Sequence, residues 1–286
     1  MKFSSLFIAT ALYCSANILS TAAGFTNIEF RNEPADTTAF TNILIEVETI
    51  GITDNGKLVT EIARKFINCP YESGTLEGNE ERLRISSECF DCTTLAETTL
   101  ALAMTINERR TSWRDFAYNL EKIRYRGGKL NGYASRLHYI SDWIVDNTYR
   151  GNIEEVTAKI GRPDYYIKTL DFMTHHREKY PALKDSANYA AMKEAEIGYR
   201  SHRFPYIKSM NIKNAELKEG DIVAITCGMK DLDVTHIGII TFVDNAPHLL
   251  HASSKAGKVI IDPLPLTEYL RKNKSATGIR VIRIKD

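Results

Sequence analysis

The last third of the chain, from about residue 217, carries the pattern that most restricts its fold. Five short runs rich in Ile, Val and Thr follow one another, separated by turn residues: "GDIVAIT", "THIGIITFV", "PHLLHAS", "KVIIDP" and "GIRVIRIK". β-Branched runs with this regular punctuation predict an antiparallel sheet. The residues before them have mainly helical patterns, and helices first with strands last predict an α+β fold.

A long helix is predicted after the two cysteines of "ECFDCTTLAETTLALAMTI", residues 88–106. After the second cysteine the run contains strong helix formers and neither Gly nor Pro, and apolar or small residues occupy every side, which indicates a buried helix. Thr94 and Glu97 have the spacing of a capping box. This spacing places the start of the helix at or just after Cys92.

Shorter patterns outline the rest of the chain. Residues 39–70 predict two short helices separated by a turn at "TDNGK", and "ERLRIS" predicts a short strand. "TSWRDFAYNLEKIRY" predicts a second amphipathic helix, and the loop "RGGKLNGY" follows it. The stretch from residue 161 combines a weak strand with helical segments that end near Pro205. Because no repeat or linker divides the chain, we expect residues 24–286 to form a single domain, with helical elaborations at its N-terminal end and the sheet (about 217–286) at its C-terminal end.

The first 23 residues have the organisation of a secretory signal peptide. Lys2 precedes an apolar run over residues 6–19, and small residues follow up to Ala23, after which we expect cleavage. A lipoprotein signal would instead acylate Cys14, but the bulky Tyr13 precedes that cysteine. No later segment reaches the roughly 20 apolar residues of a membrane helix. We therefore expect an exported protein, periplasmic in a bacterium, whose mature chain has no integral membrane segment.

The balance of charges argues against some classes of partner. The chain has 37 basic and 36 acidic residues, which give a formal charge of +1. Bulk electrostatic attraction to nucleic acid or to anionic lipid is therefore not predicted. A small or neutral substrate fits this balance better.

Four cysteines remain after removal of the signal: Cys69, Cys89, Cys92 and Cys227. Four thiols in a domain of this size are not a disulfide framework, although an exported compartment permits one bridge, and the pairing of Cys69 with Cys89 stays open. Cys89 and Cys92 have the spacing of a redox pair, but no βαβ unit precedes them. A zinc site is disfavoured because no second CxxC or HxxxH pair is present. We expect no metal and no cofactor.

Cys92 is the candidate nucleophile. A helix N-terminus stabilises a thiolate through its unpaired N–H groups and its positive dipole end. A cysteine hydrolase also needs a base, normally His, which a third polar group orients. His236 in "THIGIIT" and His251 in "HLLHASS" lie on successive predicted strands, which can bring the imidazoles side by side. His251 would then orient His236 as the base for Cys92, although packing in the core is the simpler role for each residue taken alone.

Four blocks of the chain resemble the NlpC-type cell-wall cysteine peptidases and amidases. They are "FDCTTLAE", "LKEGDIVAI", "THIGIIT" and "LLHASS", in the order of that superfamily. The resemblance implies a papain-like core, in which a helix carrying the cysteine packs on an antiparallel sheet carrying the histidine. Asp91-Cys92, Gly220-Asp221, His236-Ile237-Gly238 and His251 stand at the matching places. By this match Cys92 is the nucleophile, and Cys89, which precedes the motif, is a bystander.

A closer resemblance covers nearly all of the predicted mature chain. "ERLRISSECFDCTTLAE" and "RYRGGKLNGYASRLHYISDWI" are similar to a branch of secreted N-acetylmuramoyl-L-alanine amidases, formerly catalogued as a domain of unknown function. The resemblance implies a substrate: the amide between the lactyl group of muramic acid and L-alanine in peptidoglycan fragments (muropeptides). It also implies a preference for small, soluble, anhydro-muropeptide-like pieces over the intact wall.

The segment "GYASRLHYISDW", residues 132–143, is the first source of substrate-binding candidates. It mixes aromatic and hydrogen-bonding side chains of the kind that bind sugars and carboxylates. Its spacing is also helical, so about half of these side chains are expected to pack. Tyr133, Ser135 and Arg136 are the residues that we select for binding.

Two further candidates lie beside the predicted catalytic residues. Asp91 fits the N-cap of the long helix, and the resemblance implies a second role in contacting substrate, as the residue before the cysteine does in related peptidases. Ser253 follows His251 and is a candidate for the rim of the cleft.

Three alternatives to an amidase stay open. The first is a γ-D-glutamyl endopeptidase acting within the stem peptide, which is the commoner activity in the superfamily. The second is an exported muropeptide-binding protein that retains the fold without turnover. The third is a thiol–disulfide oxidoreductase that uses Cys89 and Cys92. The sequence contains no recognisable wall-anchoring module, which favours soluble fragments over insoluble wall as the ligand.

Overall fold

The computed structural model describes residues 27–198 and 201–285. The predicted signal peptide, including Cys14, lies outside these residues. The described chain combines helices with one large antiparallel sheet and a small two-stranded sheet, so the α+β prediction is confirmed.

The α-helices of the described residues are distributed along the chain, and the last of them precedes the final strand of the sheet. They are α1 (Glu33–Ile50), α2 (Asn55–Arg64), α3 (Cys92–Asn107), α4 (Trp113–Arg124), α5 (Ile140–Tyr149), α6 (Phe172–His175), α7 (Ser186–Ile197) and α8 (Leu266–Lys272). None of the helices in this part of the chain has both the length and the apolar character that a membrane span requires.

The strands are concentrated in the C-terminal part of the chain. They are β1 (Ile28–Phe30), β2 (Leu83–Ile85), β3 (Ile153–Glu155), β4 (Asp164–Ile167), β5 (Arg203–Lys208), β6 (Ile222–Cys227), β7 (Val234–Val243), β8 (Ala246–Ser253), β9 (Lys258–Pro265) and β10 (Ala276–Ile284). The large sheet has the order β4-β5-β10-β6-β7-β8-β9, and β3 also pairs with β10. β1 and β2 form a separate parallel pair.

All five strands predicted in the last third are present, as β6 to β10. The sheet is larger than predicted, because β3, β4 and β5 from earlier in the chain join it. Pro205 lies within β5, where the sequence analysis expected the end of a helical segment. It faces Tyr165 of β4, and β5 pairs with β10 only further on, at Ile207 and Lys208. At Pro205 the strand is therefore paired on one side only, which tolerates the missing N–H.

The helices predicted in residues 39–70 are present, with a turn at the predicted place. α1 begins earlier than expected, at Glu33, because Asn32 caps it and Pro34 occupies its first turn. Gly51 ends α1 with a φ of 70°, a conformation that glycine adopts without strain. The predicted strand and amphipathic helix are also confirmed, as β2 and α4. In residues 132–143, by contrast, an α-helix begins only at Ile140.

The long helix α3 begins at Cys92 and has Asp91 as its N-cap, both as predicted, but its capping box joins Asp91 to Thr94 and does not include Glu97. Asp91 is the N-cap: its side chain accepts a hydrogen bond from the Thr94 N–H at 2.7 Å, and the Thr94 hydroxyl accepts one from the Asp91 N–H at 2.9 Å. Glu97 does not take part in this cap. It lies buried against Arg124 of α4, with 2.6 Å between Oε2 and Nε.

The motif "LKEGDIVAI" serves the fold at the start of β6. Gly220 has a φ of 76°, and a Cβ at this position would lie 2.2 Å from the Gly56 carbonyl oxygen of α2. The carboxylate of Asp221 accepts hydrogen bonds from Arg283 Nε at 2.6 Å and from the Lys218 N–H at 2.8 Å. Both residues therefore shape the turn and fasten it to β10.

The main core lies between α3 and the sheet. α3 is buried along nearly its whole length and packs against β7 and β8 on one side and against α1, α2 and α4 on the others. Leu95 and Ala96 of α3 belong to the same buried cluster as Ile237 of β7 and Leu250 of β8. This packing places the N-terminus of α3 against the strand that carries His236.

Candidate active site

Cys92 lies where the start of α3 meets β7. The residue as a whole is partly exposed, but its sulfur is buried and accepts a hydrogen bond from the backbone N–H of Ile237, the residue that follows His236. The Thr93 side chain and the backbone N–H of Cys92 itself also favour the thiolate. The nucleophile predicted from the sequence therefore lies against the predicted strand of the base.

Burial opposes ionisation of both partners. It raises the pKa of the Cys92 thiol to about 11, and the negative charge of Asp91 adds to the rise, while the three hydrogen bonds lower it. Burial also lowers the pKa of His236 to about 3, with a further decrease from His251. Both pKa shifts favour the uncharged forms, a thiol for Cys92 and a neutral imidazole for His236. A neutral imidazole beside a thiol is the state in which a histidine can accept a proton as a general base.

The structure brings His236 and His251 together, as the strand pattern predicted. His236 Nε2 and His251 Nδ1 are 2.6 Å apart, and the ring planes meet at 82°. A Cβ on Gly238 would lie 3.2 Å from the His251 Cβ, so His251 stands across from Gly238 and diagonally to His236. Diagonal neighbours on antiparallel strands are within reach of side chains of this length.

Two residues that the sequence analysis missed also contact the histidine pair. Asp262 of β9 places Oδ2 at 3.5 Å from His251 Nε2. Tyr269 of α8 stacks on the His236 ring with 6.3 Å between centroids and meets the His251 ring edge-on at 5.6 Å. Asp262 had a signal in the sequence, since it is the acid of the strand that follows the His251 strand. Tyr269 had none, because an amphipathic helix of seven residues does not show which side meets a histidine.

A pocket of about 250 Å³ opens beside the two histidines. The predicted rim residue Ser253 lines it together with Asp262 and Tyr269. The Ser253 hydroxyl accepts a hydrogen bond from the Ala256 N–H at 3.2 Å, which holds the turn after β8. Lys255 and Lys272 lie at the border of the pocket and make it partly cationic.

Tyr133, Ser135 and Arg136 form a different cluster. The Tyr133 hydroxyl and the Arg136 guanidinium both donate to the Glu77 carboxylate, at 3.1 and 2.6 Å. The Ser135 hydroxyl donates to the Gly132 carbonyl at 2.7 Å and closes a local turn. None of the three lines the pocket beside the histidines. Glu77 instead borders a second cavity, of about 310 Å³, which Thr94 and Cys89 also line.

The described cysteines are all free thiols. The Cys89 sulfur accepts a hydrogen bond from Arg31 Nη1 at 2.9 Å, and burial raises its pKa. Cys69 Sγ lies 3.9 Å from the Ser87 carbonyl oxygen. The pairing of Cys69 with Cys89 is therefore not formed in this structure. Within residues 27–198 and 201–285, no group of three or more His, Cys, Asp or Glu side chains is arranged to hold a metal ion.

The two pKa shifts predict the pH dependence of thiol reactivity. Because the thiol pKa is raised to about 11 and the His236 pKa is lowered to about 3, the thiolate fraction should increase steadily with pH. We expect the rate of Cys92 alkylation by iodoacetamide to rise through the alkaline range, with the Cys92→Ala protein supplying the background from the other thiols. A rate that is already maximal in mild acid would show a preformed thiolate–imidazolium pair and contradict this expectation.

Comparison with known protein families identifies the family of the chain. The AmiA-like family, described as N-acetylmuramoyl-L-alanine amidase-like, matches residues 61–279. The chain belongs to this family.

Several solved structures resemble the chain over most of its length, and an amidase is among them. An N-acetylmuramoyl-L-alanine amidase from Bacteroides uniformis is 38% identical, with a TM-score of 0.77, and the match covers 81% of this chain and 99% of the other. A Bacteroides fragilis protein named as a candidate xylanase is 40% identical, with a TM-score of 0.73 and coverage of 78% and 98%. A Legionella pneumophila protein with 21% identity and a TM-score of 0.66, over 89% of this chain and 97% of the other, shares the fold. No curated protein matches the chain significantly.

Proposed function

We propose that the protein hydrolyses the amide between the lactyl group of muramic acid and L-alanine in soluble peptidoglycan fragments, with anhydro-muropeptides as its substrates. The observation that carries the proposal is the meeting of Cys92, at the start of α3, with the strand of the His236–His251 pair, whose nitrogens are 2.6 Å apart. Membership of an amidase-like family supports the type of bond. Acyl transfer by a thiol needs a nucleophile, a base and a group that orients the base, and Cys92, His236 and His251 would take these three roles.

The architecture supports a papain-like core of the NlpC type. α3 carries Cys92 and packs on β7 and β8, which carry the two histidines. A cysteine helix packed on an antiparallel histidine sheet is the arrangement that the sequence resemblance implied. A papain-like core is therefore part of what we propose for this protein.

The reaction follows from these positions. His236 accepts the thiol proton as the Cys92 sulfur attacks the lactyl carbonyl carbon, and backbone N–H groups at the start of α3 stabilise the oxyanion. The protonated His236 then gives its proton to the alanine nitrogen as the C–N bond breaks, which leaves a thioester. Water, deprotonated by His236, hydrolyses the thioester and regenerates the thiol. Asp91, as N-cap, fixes the start of α3, and we retain a substrate contact for it in the proposal.

Glycoside hydrolysis fits the site less well than amide hydrolysis. Most glycosidases place two carboxyl groups on either side of the scissile bond, about 5 to 10 Å apart. Among the described residues that line the pocket beside the histidines, Asp262 is the single acid. The name of the Bacteroides fragilis neighbour therefore does not extend to this chain.

The decisive experiment is mass analysis of products from an anhydro-disaccharide tetrapeptide. The mature protein, its Cys92→Ala variant and a reaction with chelator are compared. We expect free disaccharide and intact tetrapeptide, unaffected by chelator and lost in Cys92→Ala. Cleavage only within the peptide would instead assign a γ-D-glutamyl endopeptidase. Binding without any product would assign a muropeptide-binding protein.

The tetrapeptide substrate also tests the role of the second cysteine. Cys89→Ser should leave kcat largely unchanged, because the serine hydroxyl can still accept the hydrogen bond from Arg31 and Cys89 takes no part in acyl transfer. The measurement is kcat and KM for the variant beside the unmodified protein. A loss as complete as that of Cys92→Ala would favour a thiol–disulfide oxidoreductase.

Export to the periplasm is part of the proposal and rests on the first 23 residues of the sequence. N-terminal sequencing of the protein recovered from a periplasmic fraction tests it. A first residue of Gly24 is expected. Recovery of the full-length chain from the cytoplasm alone would contradict export.

A further inference from the structure

The histidine pair continues beyond His251 to a carboxylate. His251 is almost fully buried, and its Nδ1 faces His236. Its other nitrogen, Nε2, is buried and has no hydrogen-bond partner within the described residues, while Asp262 Oδ2 lies 3.5 Å away. A buried imidazole nitrogen normally has a partner. Asp262 supplies the nearest charge to it.

Strand alternation puts Asp262 on the same face as His251, because His251 pairs with Ile260, and the regular pairing of β9 ends just at Asp262. β8 and β9 pair regularly up to Leu250 with Ile261, but the next pair is His248 with Pro265. Residues 262–264 therefore stand opposite the single residue Leu249. Bulges of this kind re-aim side chains and recur beside active sites.

Two hydrogen bonds hold Asp262 in place. Its Oδ1 accepts from the Leu264 N–H at 2.9 Å, within the bulge. Its backbone carbonyl faces His248 Nδ1 at 2.8 Å. Because Oδ1 and the backbone are engaged, Oδ2 is the oxygen left for His251.

We propose that Asp262 is a positioning residue that holds His251 with its proton on Nε2, so that His251 Nδ1 accepts a hydrogen bond from His236 and leaves His236 Nδ1 unprotonated for the thiol. The expected effect on kcat rests on the proposed function. The expected tautomers of His236 and His251 do not depend on it.

The chemistry of the groups supports this order of protons. A carboxylate only accepts hydrogen bonds, so it selects the His251 tautomer with a proton on Nε2. In that tautomer Nδ1 is an acceptor, and the 2.6 Å contact then requires the proton on His236 Nε2. When His236 takes the thiol proton, the negative charge of Asp262 stabilises the histidine pair through His251. The alternative order, with the proton on His251 Nδ1, would leave Nε2 as an acceptor facing a carboxylate.

The other groups around His251 do not replace Asp262. His236 approaches from β7, Cys92 belongs to α3, and Tyr269 of α8 contributes a ring edge. Lys255 and Lys272 line the same pocket. Burial lowers the pKa of His251, and Asp262 raises it. Asp262 is thus the negative charge that acts directly on His251.

The test combines kinetics with the NMR shifts of the imidazole nitrogens. With ¹⁵N-labelled histidine, both His236 and His251 should carry their proton on Nε2 in the unmodified protein. Asp262→Asn should give His251 a mixture of tautomers and lower kcat by between about tenfold and a hundredfold, with little change in KM. Asp262→Glu should recover part of both effects. Glu268→Gln is the control, because it removes an exposed acid of α8 and should change neither.

Each outcome has a separate meaning. A proton on His251 Nδ1 in the unmodified protein, or an Asp262→Asn protein with unchanged tautomers and unchanged kcat, would overturn the role of Asp262. The expected tautomers in a protein without amidase turnover would support that role and overturn the proposed function alone. If Asp262→Asn does not fold, the Asp262→Glu protein still tests the role of Asp262. Its carboxylate lies at a different distance from His251, so kcat and the His251 tautomer should both change, and no change in either would contradict the proposal.

Discussion

Replacement of Cys92 by alanine is expected to lower kcat for muropeptide hydrolysis by roughly 10⁴-fold or more, the scale on which hydrolases respond to loss of their nucleophile. In the proposed mechanism the Cys92 sulfur is the atom that forms the acyl-enzyme, and alanine has no nucleophilic atom at this position. Cys89 lies before the cap of α3 and is hydrogen-bonded to Arg31. Steady-state kinetics on the anhydro-disaccharide tetrapeptide would measure the loss.

Two controls separate chemistry from folding. Cys227→Ser changes another free thiol, one that is buried in β6, and activity should survive wherever that protein folds. The Cys92→Ala protein itself should unfold in the same denaturant range as the unmodified protein, because the residue is small and partly exposed. Residual hydrolysis within tenfold of the unmodified protein would contradict a thiol mechanism.

Replacement of Arg124 by methionine is expected to lower the free energy of unfolding by about 3 to 5 kcal/mol. Arg124 and Glu97 are both almost fully buried, with 2.6 Å between Nε and Oε2. Arg124 Nη1 also donates to the Arg84 carbonyl oxygen at 2.6 Å. Methionine leaves Glu97 as a buried charge without its partner, on the helix that carries Cys92. Urea unfolding followed by circular dichroism would measure the change.

The double variant with Glu97→Met and Arg124→Met is the matched comparison. Removing both charges removes both desolvation costs, so much of the lost stability should return. If the double variant is as unstable as the sum of the two single ones, the pair does not behave as a coupled unit. In that case the loss comes from the Arg124 contact with Arg84 and from packing.

The elements that the sequence predicted well depend on local interactions. α3 starts at Cys92 because Asp91, the preceding residue, caps it, and its apolar surface follows from the composition of the run. The strands from β6 to β10 follow from β-branched runs separated by turns. The approach of His236 and His251 could be predicted for the same reason, since consecutive antiparallel strands bring their side chains together.

The contacts that the sequence did not predict arise where a residue could pair with either a nearby or a distant partner. Thr94 and Glu97 have the spacing of a capping box, but Thr94 forms that box with Asp91. Glu97 pairs instead with Arg124, 27 residues away. Tyr133 and Arg136 stay predicted binding residues, and the structure adds a partner that their sequence does not show: both donate to Glu77, which precedes them by more than 50 residues. A pattern of neighbouring residues carries no information about such partners.

The sequence by itself determined the α+β class, the start of the cysteine helix, the strands of the C-terminal sheet and the three side chains proposed for catalysis. The physical reason is that caps, turns and strand alternation act within a few residues of one another. The tertiary structure alone decided that β3, β4 and β5 join the sheet, that Glu97 is buried with Arg124, and that Asp262 and Tyr269 meet the histidine pair. These contacts join residues far apart in the chain, and packing of the folded core brings them together.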